Sequence, residues 1–154
     1  MTLHIELPET DAAHYLTGTS AMAIPSEDSA FVDWHFVDGF LDGKASFRIA
    51  GTNFPETTRI LGNLGVRECG ETLRRAGVPL PKDRPFYAAN RDRALLDMLL
   101  ANLSTHRRPD HLRLKDFFDS EAEQESFEHH LDALAHKLED ERQRTLLAEW
   151  RAAQ

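Results

Sequence analysis

Apolar and polar residues alternate over much of the first 51 residues, which is the period-two pattern of half-buried strands. The alternation is clear at Leu3–Leu7, in the run AFVDWHFV at residues 30–37, and at Ser46–Ala50. Asp-Gly pairs at 38–39 and 42–43 supply the positive φ that tight hairpin turns need. Residues 1–51 are therefore predicted to form an antiparallel β-meander of three to four strands.

From residue 52 onward the apolar spacing changes to the 3.6-residue period of helices. Two short helices are predicted first, one ending at Gly65 and one over Arg67–Ala76. A longer helix is predicted over Tyr87–Leu103, with Asn90 as a possible cap near its start. Apolar residues cover more than half of its circumference, so this helix is expected to pack against neighbours on two sides.

The C-terminal part has the most regular helical pattern. Ser120 and Glu123 have the spacing of a capping box, which marks the start of a helix. The apolar positions that follow repeat at intervals of four and three residues, as in a coiled-coil seam, and then shift out of phase. This predicts a long acidic helix that either rotates its buried face or bends at Glu139–Arg144 into a helical hairpin. The seam, interpreted either as core or as the contact of a homodimer, consists of Phe127, Leu131, Leu134, Leu138, Leu147 and Trp150.

Composition supports one domain of the α+β class. With 154 residues, 41% of them hydrophobic, the chain can bury a core, and we expect 1–154 to form a single domain with a β-rich part at 1–51 packed against a helical part at 52–154. The longest apolar runs, such as Leu95–Leu100, fall far short of the roughly 18 residues of a membrane span. The first residues lack the pattern of a secretory signal, and the lone Cys69 cannot form an intramolecular disulfide, so a cytoplasmic protein is predicted.

The net charge of −8 is unevenly distributed along the chain. Residues 51–115 hold twelve basic and seven acidic side chains, whereas residues 116–141 hold ten acidic side chains and one basic one, Lys137. The acidic total argues against a general nucleic-acid binder. The acidic segment is either a solvated face or a face that docks into a basic groove of a partner, where fixed carboxylates compete with phosphates. The residues predicted to contact such a partner are Glu121, Glu123, Glu125, Glu128 and Asp132.

The basic middle block contains a cluster of arginines, which suit either phosphates or carboxylates as ligands. Because acidic side chains are interspersed among them, we expect them to bind the acidic segments of the chain itself or the carboxylates of a partner. The cluster consists of Arg67, Arg74, Arg75, Arg91, Arg93, Arg107 and Arg108.

Asp33 and His35 are the first candidates for catalysis. On a strand they project from the same face about 7 Å apart, which suits a carboxylate that orients an imidazole or two ligands of one metal ion. The alternative interpretation is an exposed polar pair beside a buried Trp34. Further metal ligands are not apparent from the sequence, although a metal site needs three or four.

Two weaker candidates lie in the helical part. His129, Asp132 and His136 are neighbours on one helix face and could hold a divalent ion, but a solvated face of an acidic helix is the simpler interpretation. Cys69 occupies an apolar position with no histidine in its predicted helix, which favours a buried structural thiol over a nucleophile.

Two hypotheses about function follow. In the first, the chain is a non-catalytic binding module without a cofactor that docks on a basic protein such as a nucleic-acid-binding effector or a toxin. In general character it resembles small acidic proteins that inhibit toxins, nucleases or CRISPR complexes, so an anti-CRISPR, antitoxin or immunity-type inhibitor is expected, without direct nucleic-acid or membrane binding. In the second, it is a small metal-dependent or acid–base enzyme centred on Asp33 and His35 with an anionic substrate.

Overall fold

The computed structural model describes residues 7–24 and 47–154. Within these residues the chain is α+β, as predicted, with a four-stranded sheet and six α-helices. Apart from Leu7, the predicted strands at Leu3–Leu7 and at residues 30–37 lie outside the described residues, as do both Asp-Gly turns.

The sheet is mixed. β1 pairs antiparallel with β2, where Leu16 lies opposite Ile49, and parallel with β4, where Leu16 lies opposite Ala88. β3 pairs antiparallel with β4, and Val66 lies opposite Ala89. The strands are β1 (Leu16–Thr17), β2 (Arg48–Ile49), β3 (Val66–Glu68) and β4 (Tyr87–Ala89), in the spatial order β2-β1-β4-β3.

Two of these strands correct the sequence prediction, because β3 and β4 lie in the part that was expected to be helical. The described sheet is therefore not an antiparallel meander confined to residues 1–51. The predicted helix at Tyr87–Leu103 begins only at Arg91, since the Asn90 side chain accepts a hydrogen bond from the backbone N–H of Arg93 at 2.8 Å and caps the first turn. A strand of three residues is too short to show a period of two in the sequence.

The longest of the central helices, α4, organises the core. Its residues Leu95, Leu96 and Leu99 have no exposed surface. Buried apolar residues of the described chain form two clusters, one around the sheet and one between α4 and the C-terminal helices, and α4 contributes to both, which confirms packing on two sides. The helices are α1 (Thr19–Met22), α2 (Thr58–Leu61), α3 (Gly70–Arg75), α4 (Arg91–Ser104), α5 (Glu121–Lys137) and α6 (Glu141–Ala152), with a 3-10 turn at Leu114–Asp116.

The C-terminal segment forms two helices rather than one. α5 ends at Lys137, Leu138 adopts an extended conformation, and Asp140 caps α6 by accepting a hydrogen bond from the N–H of Gln143 at 2.9 Å. A bend was predicted at Glu139–Arg144. The structure confirms it, and the break begins one residue earlier, at Leu138. No helix among the described residues is long and apolar enough to cross a membrane.

A buried ion pair within α4 is the centre of a hydrogen-bond network that reaches the sheet. Arg93 and Asp97 are both fully buried, and Nε of Arg93 lies 2.9 Å from Oδ1 of Asp97. The Asp97 carboxylate also accepts hydrogen bonds from the hydroxyls of Tyr15 at 2.7 Å, Thr17 at 2.7 Å and Thr57 at 2.6 Å. Four donors therefore converge on one carboxylate, which offsets the cost of removing its charge from water.

The other end of Arg93 is equally well satisfied. Its Nη1 donates to the carbonyl oxygens of Gly62 at 2.9 Å and Leu64 at 2.7 Å, and its guanidinium lies 5.2 Å from the centre of the Tyr15 ring. Burial raises the pKa of Tyr15 above its usual value, and the nearby Asp97 carboxylate raises it further, so the phenol stays neutral and donates. The network holds β1, the turn after α2 and α4 in one arrangement.

Candidate functional site

The acidic helix α5 is firmly seated in the protein. The Ser120 hydroxyl accepts a hydrogen bond from the N–H of Glu123 at 3.2 Å, which confirms the predicted helix start. Phe127, Leu131 and Leu134 on the inner face have no exposed surface. Because one face is fixed in the core, the side chains on the outer face have a defined spacing.

Four of the five residues predicted to contact a partner lie in a row on α5, which we call the acidic stripe: Glu121, Glu125, Glu128 and Asp132. Their separations of four, three and four residues place them on one face of the helix, over about 16 Å at 1.5 Å per residue. Glu128 is half-buried and the other three are exposed. Within the described part of the chain, no basic group lies within 4.0 Å of the carboxylates of Glu121, Glu125 or Glu128.

Glu123, the fifth predicted contact residue, lies on another side of α5 and faces the chain itself. Its carboxylate is 2.9 Å from Nη2 of Arg91, and the guanidinium of Arg91 also lies 4.9 Å from the centre of the Phe118 ring. Glu123 therefore helps to join α5 to the start of α4 and does not belong to the acidic stripe. Asp132, at the end of the stripe, pairs with Arg151 at 2.9 Å, which partly neutralises it.

The six residues of the predicted seam lie in the core of the chain itself. All are at most 3% exposed, and Nε1 of Trp150 donates a hydrogen bond to the carbonyl of Leu112 at 2.8 Å. Of the two interpretations, the structure therefore supports core for these residues, because a side chain buried within one chain is not available to a second copy. A homodimer stays a prediction and needs another surface. The six residues are Phe127, Leu131, Leu134, Leu138, Leu147 and Trp150.

A second polar contact joins α5 to α4. Nε2 of His130 lies 3.6 Å from Oδ2 of Asp92, and both side chains are about 30% exposed (31% and 27%). Burial raises the pKa of Asp92, whereas His130 and Arg91 lower it by their charge. The imidazole also meets the Phe127 ring edge-on at 6.5 Å. This pair holds two helices together, and sequence reasoning missed it because its partners are 38 positions apart.

The arginines of the middle block do not form one surface patch. Arg93 is buried, Arg74 donates to the carbonyl oxygens of Leu80, Pro81 and Arg84, and Arg91 pairs with Glu123. These three arginines therefore bind groups of the chain itself, but only Arg91 contacts the acidic segment as predicted, because Arg93 pairs with Asp97 of the middle block and Arg74 binds backbone carbonyls.

The structure describes one of the two predicted metal-binding groups. Asp33 and His35 lie outside the described residues. Among the residues that are described, no group of three or more His, Cys, Asp or Glu side chains could hold a metal ion, and this includes His129, Asp132 and His136. Cys69 is 1% exposed, in agreement with a buried thiol.

Comparison with known proteins adds no assignment. No protein-family model, no curated protein and no solved structure matches the chain.

Proposed function

We propose that this chain is a non-catalytic protein-binding module that docks through the acidic stripe on α5 into a basic groove of a protein partner. The observation that carries the proposal is the row of Glu121, Glu125 and Glu128, which have no basic partner within 4.0 Å among the described residues. Uncompensated charge of one sign raises the rate at which a partner of the opposite sign associates.

The stripe has a charge density that suits a groove made for nucleic acid. Its four carboxylates are spaced about 5.5 Å apart along the helix axis, compared with about 3.4 Å for the phosphates of one DNA strand. A basic groove that binds phosphates would therefore meet a row of anions of comparable density on a rigid helix. On this basis the partner is a bacterial nucleic-acid-processing protein, and the chain acts as its inhibitor or regulator, of the anti-CRISPR, antitoxin or immunity type.

The experiment compares three forms of the chain as baits for partners in bacterial lysate. The stripe variant carries Glu121→Gln, Glu125→Gln and Glu128→Gln. The control variant removes the same number of charges elsewhere on the surface, through Glu9→Gln, Glu71→Gln and Asp83→Asn, all of which are exposed. Proteins captured by each bait are quantified by mass spectrometry at three salt concentrations, with and without an excess of duplex DNA.

The expected result is a nucleic-acid-binding protein that is captured by the unmodified chain and by the control variant but lost from the stripe variant. Its capture should weaken by about tenfold or more as salt is raised across the physiological range, because screening shortens the reach of the charges. Duplex DNA should displace it. A partner that the stripe variant retains at the same level would overturn the proposal, and so would the absence of any partner that distinguishes the two variants.

A further inference from the structure

A cavity of about 520 Å³ opens beside the first turn of α4, between α1, β3 and α5. This volume lies within the range of sites that bind small molecules. Both apolar and charged side chains line it, so it can cover an apolar body and hold a charged group. The lining residues are Met22, Ile24, Arg67, Asn90, Arg91, Asp92 and Glu123.

Arg67 differs from Arg91, the other arginine of this cavity, in having no ion pair with a described residue. Within the described part of the chain no carboxylate lies within 4.0 Å of its guanidinium, and its one hydrogen bond, from Nη2 to the carbonyl of Ile24, is long at 3.4 Å. Its Nε–H is buried and has no acceptor among the residues that the structure describes, and the same is true of the Nε–H of Arg91. Buried N–H groups in proteins nearly always have an acceptor, so these two call for an explanation.

Further donors lie at the same place. The Oδ1 atom of Asn90 accepts the hydrogen bond that caps α4, which leaves the amide nitrogen of this side chain as a donor at the cavity wall. The N–H groups of Arg91 and Asp92 belong to the first turn of a 14-residue helix and have no acceptor within the helix. Together with Arg67 they favour an anion as the ligand.

Two carboxylates restrict the charge of that anion. Asp92 pairs with His130, and Glu123 pairs with Arg91, yet both carboxylates still line the cavity. Their two negative charges therefore equal the two positive charges of the arginines that line it. A doubly charged phosphate would gain little from such a balanced site, whereas a single carboxylate can bind Arg67 through two parallel hydrogen bonds. Met22 and Ile24 form the apolar part of the wall, which suits a short hydrocarbon body.

We propose that this cavity binds a small monocarboxylate with a short apolar body, held by the guanidinium of Arg67. The proposal is independent of the acidic stripe, since none of its four residues lines the cavity. Loss of partner binding in the stripe variant would therefore not affect it, and its own failure would leave the proposed function untouched.

The experiment is an NMR titration of the isotope-labelled chain with four probes: 3-methylbutanoate, acetate, 3-methylbutan-1-ol and inorganic phosphate. We expect 3-methylbutanoate to shift the backbone amides of residues 22–24, 66–68 and 90–92 in a saturable manner. It should bind about tenfold more tightly than acetate, because its additional carbons become buried, and more tightly than the uncharged alcohol or phosphate. Arg67→Gln should weaken its binding about tenfold, whereas Arg75→Gln, at an exposed arginine on α3, should leave it unchanged.

Several results would overturn the proposal. Equal binding of 3-methylbutanoate and its alcohol would show that charge is not recognised, and stronger binding of phosphate would show that the anion class is wrong. Equal affinity of the Arg67→Gln variant would exclude Arg67 as the anchor. The comparison of the four probes uses the unmodified chain, so it decides the question even where the variant fails to fold.

Discussion

Replacement of Asp97 by asparagine tests whether the buried ion pair holds the fold together. Asparagine has the same shape, but it replaces one acceptor oxygen by a donor. Either Tyr15 and Thr17 at one oxygen, or Thr57 and Arg93 at the other, then face an NH₂ group in place of an acceptor. The charge of Arg93 also stays buried without a counter-ion.

The structure sets the expected size of this effect. Two hydrogen bonds to a charged acceptor are lost, each worth about 1.5–3 kcal/mol, which gives roughly 3–6 kcal/mol. Breaking a buried ion pair by removing one partner costs about 3–5 kcal/mol, which agrees. The free energy of unfolding of a protein is typically about 5–15 kcal/mol, so this loss is a large fraction of it. The melting temperature should fall by about 6–24 °C, at about 2–4 °C per kcal/mol for a chain of this length.

The assay is urea unfolding at neutral pH, followed by far-ultraviolet circular dichroism. Asp132→Asn serves as the matched control, because it removes the same charge from an exposed ion pair with Arg151 and should cost less than about 1 kcal/mol. A loss of less than 1 kcal/mol for Asp97→Asn would refute the reasoning. It would mean that water or a rearranged Arg93 satisfies the network.

Three further predictions concern local features of the fold. Because the pKa of Tyr15 is raised in the folded state, this phenol ionises at a lower pH in the unfolded chain, and the free energy of unfolding should fall as pH rises above about 10. Tyr15→Phe should flatten this decline in urea unfolding curves measured between neutral and alkaline pH. Gly65→Ala should destabilise the fold by more than Gly62→Ala. Both glycines have a positive φ, but a Cβ at Gly65 would lie 2.6 Å from Oδ1 of Asn90, whereas a Cβ at Gly62 would meet nothing within 4 Å. Equal falls in melting temperature for the two variants would contradict this. Ser120→Ala should cost about 1 kcal/mol through loss of the α5 cap, and an unchanged urea midpoint would rule that out.

Local sequence signals predicted much of the helical part. The capping box at Ser120 and the apolar spacing from Phe127 onward identified α5 and its buried face, because both depend only on neighbours along the chain. The short strands β3 and β4 were missed, since three residues are too few to show alternation and their pairing depends on residues far away in sequence.

The buried network and the cavity could not be predicted for a related reason. Arg93 and Asp97 have the spacing of an ordinary exposed ion pair on a helix, and the partners that make their burial tolerable come from Tyr15, Thr17 and Thr57, between 36 and 82 positions away. Of the five residues predicted to contact a partner, four lie in one row on α5. Glu123 departs from that row because its pairing with Arg91 is set by how two helices pack.

The parallel pairing of β1 with β4 has a consequence for how the chain acquires its fold during synthesis. The second residue of β1 is made 72 positions before the last residue of β4, and translation at about 5–20 residues per second separates them by about 4–14 s. During that interval β1 lacks one of its two neighbours, and Asp97, the acceptor for Tyr15 and Thr17, has not yet been made. The side chain of Leu16, which is fully buried in the folded chain, therefore lacks its cover on the nascent chain until the centre of the sequence emerges.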